Sequence, residues 1–381
     1  MKPESRMDEM DRDIYRQLAR FLDDLPGGFP ATESGVELRI LRRLFAPAEA
    51  ELATRLNLFL EDVDDIARRT DLSTADVEKL LRTMARKGLI FSVEKQGNMK
   101  YMASQFVVGI WEFHLNDLDV ELVRDMEKYI PHLFEEAWKI PQMRTIPVNQ
   151  SLSPRLEIMS YENAEEIVRQ KRKILVAPCI CRKERALLGH KCDKPLEVCL
   201  SFDRGADYFE RNGLGRVISI GEAIDILRLV NEEGLVLQPG NAREAGFICC
   251  CCGCCCAVLR TLKLTPKPAQ STWSAFRVEI TGETCDQCGV CLDRCQMDAL
   301  DLSDDGITVN YDRCIGCGLC VTTCPTGTLS LSKKPKPDQP RIPRNVVGTY
   351  IRLSQARGRF RPEKYVMSQI RSKANRLKSG E

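Results

Sequence analysis

The chain has 381 residues, a formal net charge of +2 at pH 7 and 19 cysteines. This length predicts two or three domains, and the near-neutral charge gives no whole-chain argument for binding nucleic acid. The cysteines occur in clusters and are not spread out as in a disulfide framework, which indicates thiolate ligands of metal in a reducing compartment.

The N-terminal segment is charged and contains no apolar stretch typical of a signal peptide. No apolar run in the chain approaches the roughly 20 residues that span a bilayer. We therefore expect a cytoplasmic protein without a transmembrane segment. Residues 1–34 are predicted to form an N-terminal helix that ends at Pro26-Gly27-Gly28.

Residues 35–104 are predicted to form consecutive helices and then a two-stranded hairpin. Ser73 is a favourable N-cap for the last of these helices, and Gly88 ends it. The turn of the hairpin is predicted at Gln96-Gly97-Asn98. Helices followed by such a two-stranded wing resemble the winged helix-turn-helix fold.

The charge of this winged-helix-like region argues against DNA binding. Nine acidic and three basic residues lie between Glu49 and Glu78, although a DNA-binding module needs basic side chains to neutralise phosphates. Base contacts usually come from the N-terminal part of the recognition helix, and here that part carries Asp76 and Glu78. We therefore favour protein docking, with DNA binding as the alternative.

Residues 105–270 are predicted to form a helical connector and a cysteine-rich central domain. The connector carries apolar side chains at mixed helical spacing, and His114 and His132 within it are interpreted as structural. A predicted helix and a predicted strand, ending near Pro178, lead into the cysteines.

Eleven cysteines of the central domain are candidate metal ligands. Adjacent residues of an extended segment face opposite sides, so the seven cysteines between 249 and 256 cannot all bind one metal. Dense thiolate sites select iron–sulfur clusters, zinc or copper(I). A further iron–sulfur cluster is favoured here, with zinc and metal-free thiols as alternatives, and Arg182 would stabilise thiolates beside it. The candidates are Cys179, Cys181, Cys192, Cys199, Cys249, Cys250, Cys251, Cys252, Cys254, Cys255 and Cys256.

Residues 271–332 contain two tandem copies of a motif in which four cysteines are separated by two, two and three residues. Structural zinc sites usually consist of separated CxxC pairs, so the tandem spacing favours iron–sulfur clusters over zinc. A hairpin turn is predicted at Ser303-Asp304-Asp305-Gly306, between the copies. The motif cysteines are Cys285, Cys288, Cys291 and Cys295 in the first copy and Cys314, Cys317, Cys320 and Cys324 in the second.

This tandem motif resembles the bacterial two-cluster ferredoxin domain over about residues 281–332. The resemblance implies two [4Fe-4S] clusters, with the fourth cysteine of each copy bound to the cluster of the other copy. Gln296 departs from the family, which normally has proline after the fourth cysteine. The implied ligands are Cys285, Cys288, Cys291 and Cys324 for the first cluster and Cys314, Cys317, Cys320 and Cys295 for the second.

The order of the regions also resembles 4Fe-4S ferredoxin-type proteins of anaerobic bacteria, and this resemblance implies electron transfer. The triplet Cys251-Cys252-Gly253 is similar to the CCG motif of heterodisulfide-reductase-type subunits, but the remaining spacing differs and nothing is transferred from it. The predicted fold class is α+β multidomain, with a helical winged-helix-like N-terminal domain, a cysteine-rich α/β central domain and a ferredoxin-like C-terminal domain.

The tail, residues 333–381, begins with a proline-rich segment and carries fourteen Lys or Arg against three acidic residues. Three kinds of partner suit this charge: an acidic protein, an anionic membrane surface or nucleic acid. A solvated and partly helical tail is the alternative.

No motif for a nucleotide, a flavin or a hydrolytic catalytic centre is present in the sequence. The favoured hypothesis is an electron carrier or electron-transfer subunit that exchanges electrons with a partner oxidoreductase, through two [4Fe-4S] clusters and a further central cluster. One alternative is a redox-sensing winged-helix transcription regulator. Another is an enzyme whose central cluster has an open iron position.

Overall fold

The computed structural model describes residues 13–282 and 285–360 and divides into two compact units. The first unit contains residues 13–139 and 350–360, and the second contains residues 140–349. No helix in these described ranges is both long and apolar enough to cross a membrane.

The first unit consists of helices and one two-stranded hairpin. Strand β1, Ile90–Lys95, pairs antiparallel with β2, Asn98–Ala103. The helices in this unit are α1 Ile14–Asp24, α2 Val36–Leu44, α3 Pro47–Ala53, α4 Val63–Ala67, α5 Thr74–Arg86, α6 Trp111–Phe113 and α7 Val120–Ala137.

Helix α5 and the hairpin after it form where the sequence predicted them. The Ser73 hydroxyl accepts a hydrogen bond of 3.2 Å from the backbone N–H of Asp76, which caps α5. The buried face of α5 includes Val77, Leu81 and Met84, at helical spacing. Because the hairpin pairs Lys95 with Asn98, its turn consists of Gln96 and Gly97, so the turn forms at the predicted place but Asn98 already belongs to β2.

Helix α7, which falls in the predicted region 105–270, lies in the first compact unit. Its apolar face is buried. Asp125 of its polar face and Asp119, its N-cap residue, form ion pairs with Arg39 (2.8 Å) and Arg43 (2.6 Å) of α2. Amphipathic helices stay with the unit that buries their apolar face.

Both histidines of the connector contact backbone carbonyls of the first unit. The Nδ1 atom of His114 lies 2.7 Å from the carbonyl oxygen of Ile110, and burial lowers the pKa of His114. The Nε2 atom of His132 lies 2.9 Å from the carbonyl oxygen of Ala31.

Part of the predicted basic tail is folded. Helix α14, Val346–Ala356, begins in the second unit and ends in the first. Beyond it, the guanidinium of Arg357 pairs with Asp23, and that of Arg359 pairs with Asp23 (2.9 Å) and Asp24 (3.3 Å). These positive charges are therefore paired within the chain, and residues 361–381 of the predicted tail lie outside the described residues.

The second unit is organised around a five-stranded sheet in which every neighbouring pair is antiparallel. The central domain is therefore α+β, which corrects the predicted α/β class. The strands that contain Pro178 and Glu197 are consecutive in the chain, joined by a helix and a loop, and they pair antiparallel in the sheet. The strands, in spatial order, are β5 Arg216–Ile218, β3 Ile174–Pro178, β4 Glu197–Phe202, β7 Phe247–Cys251 and β6 Val236–Pro239.

Helices flank this sheet and share an apolar core with it. Leu227 and Val230, for example, pack together with Leu200 and Ile248 of the strands. The helices of the second unit are α8 Ala164–Arg169, α9 Ile180–Leu187, α10 Arg204–Arg211, α11 Ile220–Glu232, α12 Ala257–Leu264 and α13 Val290–Arg294.

The segment with the tandem motif is closed by two antiparallel pairs of strands. Strand β8, Phe276–Ile280, pairs with β11, Leu329–Lys333, so the first and last strands of the segment lie side by side. Strand β9, Leu300–Ser303, pairs with β10, Gly306–Val309. Since Ser303 is opposite Gly306, the hairpin predicted at this turn is confirmed.

Candidate metal centres

The structure brings the first predicted set of ferredoxin cysteines together. Burial raises the pKa of Cys291, and the charges of Cys288, Cys324 and Cys285 raise it further. Cys285, Cys291 and Cys324 also pack against the same small apolar core. One loop, the start of α13 and the segment before β11 therefore converge on this position.

The second predicted set also converges. Burial raises the pKa of Cys320, and the charges of Cys317, Cys314 and Cys295 raise it further. Burial likewise raises the pKa of Cys317 to about 12. Buried thiols with such high pKa values require a positively charged partner to ionise, and a metal cluster provides that charge.

Backbone amides point at two of these sulfur atoms. The N–H of Ala299 donates a hydrogen bond of 3.2 Å to Cys295 Sγ. Burial would raise the pKa of Cys324, but hydrogen bonds from the Thr326 hydroxyl and from the backbone N–H groups of Thr326, Thr328 and Leu329 outweigh it and lower the pKa. Donors of this kind stabilise a thiolate, which is the form that binds iron.

Two glycines of the second motif copy are required by close packing. Both have positive φ angles, 68° at Gly316 and 77° at Gly318. A Cβ atom on Gly316 would lie 2.1 Å from the carbonyl oxygen of Phe276, and one on Gly318 would lie 2.2 Å from Ser151 Oγ. Because glycine has no side chain, the cysteine loop can pack closely against β8 at Gly316 and against the segment around Ser151 at Gly318.

Six of the eleven central cysteines form a closed ring, which we call the six-thiol ring. The pKa of each thiol in the ring is shifted by interactions with two others, so neighbouring thiols of the ring lie close together. Its members, in order around the ring, are Cys179, Cys181, Cys256, Cys251, Cys249 and Cys199, which returns to Cys179.

Strand geometry explains the composition of the six-thiol ring. Cys249 and Cys251 occupy alternate positions of β7 and face the same side, while Cys250 between them faces the opposite side. Burial raises the pKa of Cys250 to about 12, and it packs as a core residue. Cys199 lies on the neighbouring strand β4, which pairs with β7 through Leu200 and Ile248.

Four other central cysteines form a compact group, which we call the thiol tetrad. The members of the thiol tetrad are Cys192, Cys252, Cys254 and Cys255, whose Sγ atoms all lie within 4.8 Å of one another. The Sγ atom of Cys254 is 3.7 Å from those of Cys192 and Cys255. Residues 253–255 form a turn, so successive side chains converge here instead of alternating as they do in β7.

A buried arginine interacts with both thiol sets. Arg182 is 4% exposed and donates hydrogen bonds to the carbonyl oxygens of Pro195 (3.0 Å) and Cys250 (3.1 Å). Burial would lower its pKa, but negative charge on Cys179, Cys252 and other nearby thiols outweighs burial and raises the pKa. Within the described residues no carboxylate pairs with Arg182, so ionised thiols are the anions available to balance its charge.

The two cysteine regions share one apolar core. Cys295 and Cys317 of the tandem motif pack against the same buried cluster as Cys181, Cys192 and Cys249 of the central domain. Met297 and Leu319, each two residues after one of these ferredoxin-set cysteines, are buried members of the same cluster.

The bases of the candidate recognition helix are partly neutralised. In α5, Arg82 forms an ion pair of 2.6 Å with Glu78, and Lys87, at the end of the helix, forms one of 2.6 Å with Glu49. These contacts reduce the positive charge available for phosphate.

Comparison with known families agrees with the tandem motif. Residues 284–328 match the family model described as a 4Fe-4S dicluster domain, and this range contains all eight motif cysteines. The segment is therefore a 4Fe-4S ferredoxin-type domain. A search of the curated proteins finds no match to the chain, and a search of the solved structures finds none either.

Proposed function

We propose that the chain transfers electrons between redox partners through two [4Fe-4S] clusters in residues 284–328 and a third centre in the six-thiol ring. The observation that carries this proposal is the apolar core shared by the 4Fe-4S ferredoxin-type domain and the central thiols. When bound, iron–sulfur clusters accept and release single electrons.

The proposed ligands of the two ferredoxin clusters follow the crossed arrangement of the family. Their convergence around Cys291 and around Cys320 supports this assignment. The amide of Ala299, which donates to Cys295, stabilises negative charge on the sulfur and so contributes to the reduction potential. The ligands are Cys285, Cys288, Cys291 and Cys324 for one cluster and Cys314, Cys317, Cys320 and Cys295 for the other.

The six-thiol ring suits a cluster of several metal atoms. Within the described residues, only the thiol tetrad brings three or more ligand atoms within 4.8 Å of one another. The ring is therefore wider than a site for one ion, while its thiols are still connected neighbour to neighbour. Thiolates select iron–sulfur clusters among other soft metal centres, and the match of residues 284–328 to a 4Fe-4S dicluster domain favours iron–sulfur chemistry in the ring.

A redox partner protein is the proposed binding partner, and the winged-helix-like region of the first unit is its proposed docking site. The internal ion pairs of Arg82 and Lys87 support docking of a protein more than docking of DNA. No observation favours the regulator alternative over electron transfer.

The test measures iron and acid-labile sulfide per chain in protein purified without oxygen. We expect about twelve iron atoms in the wild type, at four iron atoms per cluster. The variant Cys199→Ser removes one thiol of the ring and should retain about eight, again at four per cluster. The control Cys250→Ala changes a neighbouring core thiol outside the ring and should retain the wild-type content.

Two results would contradict the proposal. About eight iron atoms per chain in both wild type and Cys199→Ser would place no iron in the ring. Failure of the purified protein to take up electrons from a chemical reductant, followed by electron paramagnetic resonance, would contradict electron transfer itself.

A further inference from the structure

We propose that the thiol tetrad, Cys192, Cys252, Cys254 and Cys255, binds a single tetrahedral zinc ion that is separate from every iron–sulfur centre of the chain. The tetrad shares no cysteine with the six-thiol ring or with the two ferredoxin sets. This inference therefore stands whether or not the proposed electron transfer is correct.

The first argument is the distance between the sulfur atoms. Zinc–sulfur bonds of about 2.3 Å place the corners of a tetrahedron about 3.8 Å apart. The two sulfur–sulfur distances at Cys254 are both 3.7 Å, and all four Sγ atoms lie within 4.8 Å of one another. Four sulfur atoms at contact distance leave room for one ion at their centre.

The second argument is a comparison inside the same chain. An iron–sulfur cube binds each thiolate at a different corner, so its iron and sulfide atoms must fit between the thiolates. Among the described residues, the eight ferredoxin cysteines form no group of three within 4.8 Å of one another, whereas the tetrad does. The chain thus spaces cysteines more widely where an iron–sulfur domain is recognised and more closely at the tetrad.

The third argument is charge. Four thiolates around a divalent ion carry a net charge of −2, which needs a nearby cation if the site is partly buried. Arg182 lies close enough to Cys252 for their charges to interact, and its buried Nε has no hydrogen-bond partner within the described chain. A buried guanidinium with an unsatisfied donor is expected beside a negatively charged metal site.

The ligand type selects the ion. Thiolates prefer soft or borderline metals, and closed sites of four cysteines are typical of structural zinc. As the ion binds, the four thiols lose their protons to solvent and no electrons are transferred. The ion would cross-link the loop before β4, which contains Cys192, to the turn after β7, which contains Cys252, Cys254 and Cys255. That cross-link would hold in place the two segments that flank the six-thiol ring.

The experiment uses the full chain, purified without oxygen and analysed for zinc and iron together. We expect about one zinc per chain in the wild type, with an X-ray absorption spectrum of about four sulfur ligands at about 2.3 Å. The variant Cys254→Ser changes the exposed member of the tetrad, so it should fold, lose most of the zinc and keep its iron. The control Cys250→Ala should keep both metals.

Cobalt(II) provides a second measurement that does not depend on zinc surviving purification. Added to protein whose tetrad has been emptied by a chelator, cobalt should produce the visible absorption of tetrahedral tetrathiolate coordination in the wild type and in Cys250→Ala, but not in Cys254→Ser. Wild-type protein that shows neither zinc–sulfur coordination nor the cobalt(II) absorption, or loss of iron instead of zinc in Cys254→Ser, would overturn the proposal. Loss of iron in Cys199→Ser with unchanged zinc would separate the two centres.

Discussion

The side-chain oxygen of Gln296 accepts a hydrogen bond of 2.6 Å from the backbone N–H of Gly253. Gln296 follows Cys295 at the position where two-cluster ferredoxins normally have proline. Gly253 lies between Cys252 and Cys254, two members of the thiol tetrad. Proline has no side-chain acceptor, so it could not make this contact. The departure from the family pattern thus has a structural consequence, because it connects the ferredoxin-type domain to the central cysteines.

The first prediction concerns this hydrogen bond. Gln296→Ala should leave the N–H of Gly253 without its partner and destabilise the second unit by about 1–3 kcal/mol. Zinc should then be lost faster to a chelator, because the turn that supplies three tetrad ligands is less constrained. Gln296→Glu keeps an acceptor at the same position and is the matched control. Equal rates of zinc release in wild type and Gln296→Ala would show that the contact does not restrain the tetrad.

A second prediction concerns the space at Gly253. A Cβ atom there would lie 2.9 Å from the backbone oxygen of Gln296, so the two segments would have to separate. We expect Gly253→Ala to lower the free energy of unfolding by about 1–3 kcal/mol, the usual cost of overpacking. Gly246→Ala is the control, since nothing lies within 4 Å of an added Cβ at that site. Thermal unfolding of both variants measures the difference, and similar midpoints would contradict the predicted clash.

Removal of the charge of Arg182 is the third prediction. Arg182→Met leaves the nearby thiolates without their buried cation, and breaking such a buried charge pairing costs about 3–5 kcal/mol. Both iron and zinc contents should fall, since Arg182 interacts with Cys179 of the ring and with Cys252 of the tetrad. Arg228→Met, which removes an exposed ion pair with Asp225, should leave both contents unchanged. Full metal content in Arg182→Met would show that other groups balance the thiolate charge.

The sequence alone predicted those features that depend on residues close together in the chain. The spacing of the eight motif cysteines, the turn between Ser303 and Gly306 and the cap at Ser73 are local features, and each could be recognised directly. Alternation along an extended segment also predicted that the cysteines from 249 to 256 would divide. Local rules of this kind require no knowledge of the tertiary fold.

The sequence could not predict which central thiols join the six-thiol ring and which join the thiol tetrad, because this depends on how strands and loops pack. Cys199 joins the six-thiol ring because β4 pairs with β7, although the two strands are far apart in sequence. Cys192 joins the tetrad because a loop returns to the turn at Gly253. The same dependence on tertiary packing applies to α7, whose apolar face is buried in the first unit.

The last prediction is a pH dependence of the first unit. The carboxyl of Glu112 accepts a hydrogen bond of 2.7 Å from the backbone N–H of Gly109, and burial raises the pKa of Glu112 from 4.5 to about 7. The folded chain therefore binds more protons than the unfolded chain between these two values, and the free energy of unfolding should decrease as pH rises through this window, by at most about 1.4 kcal/mol per pH unit. Glu112→Gln has no proton to lose and should show a flatter profile when unfolding is followed by tryptophan fluorescence, to which Trp111 and Trp138 of the first unit contribute. Because the metal centres respond to pH equally in both proteins, the difference between the two profiles isolates Glu112, and identical slopes would contradict its raised pKa.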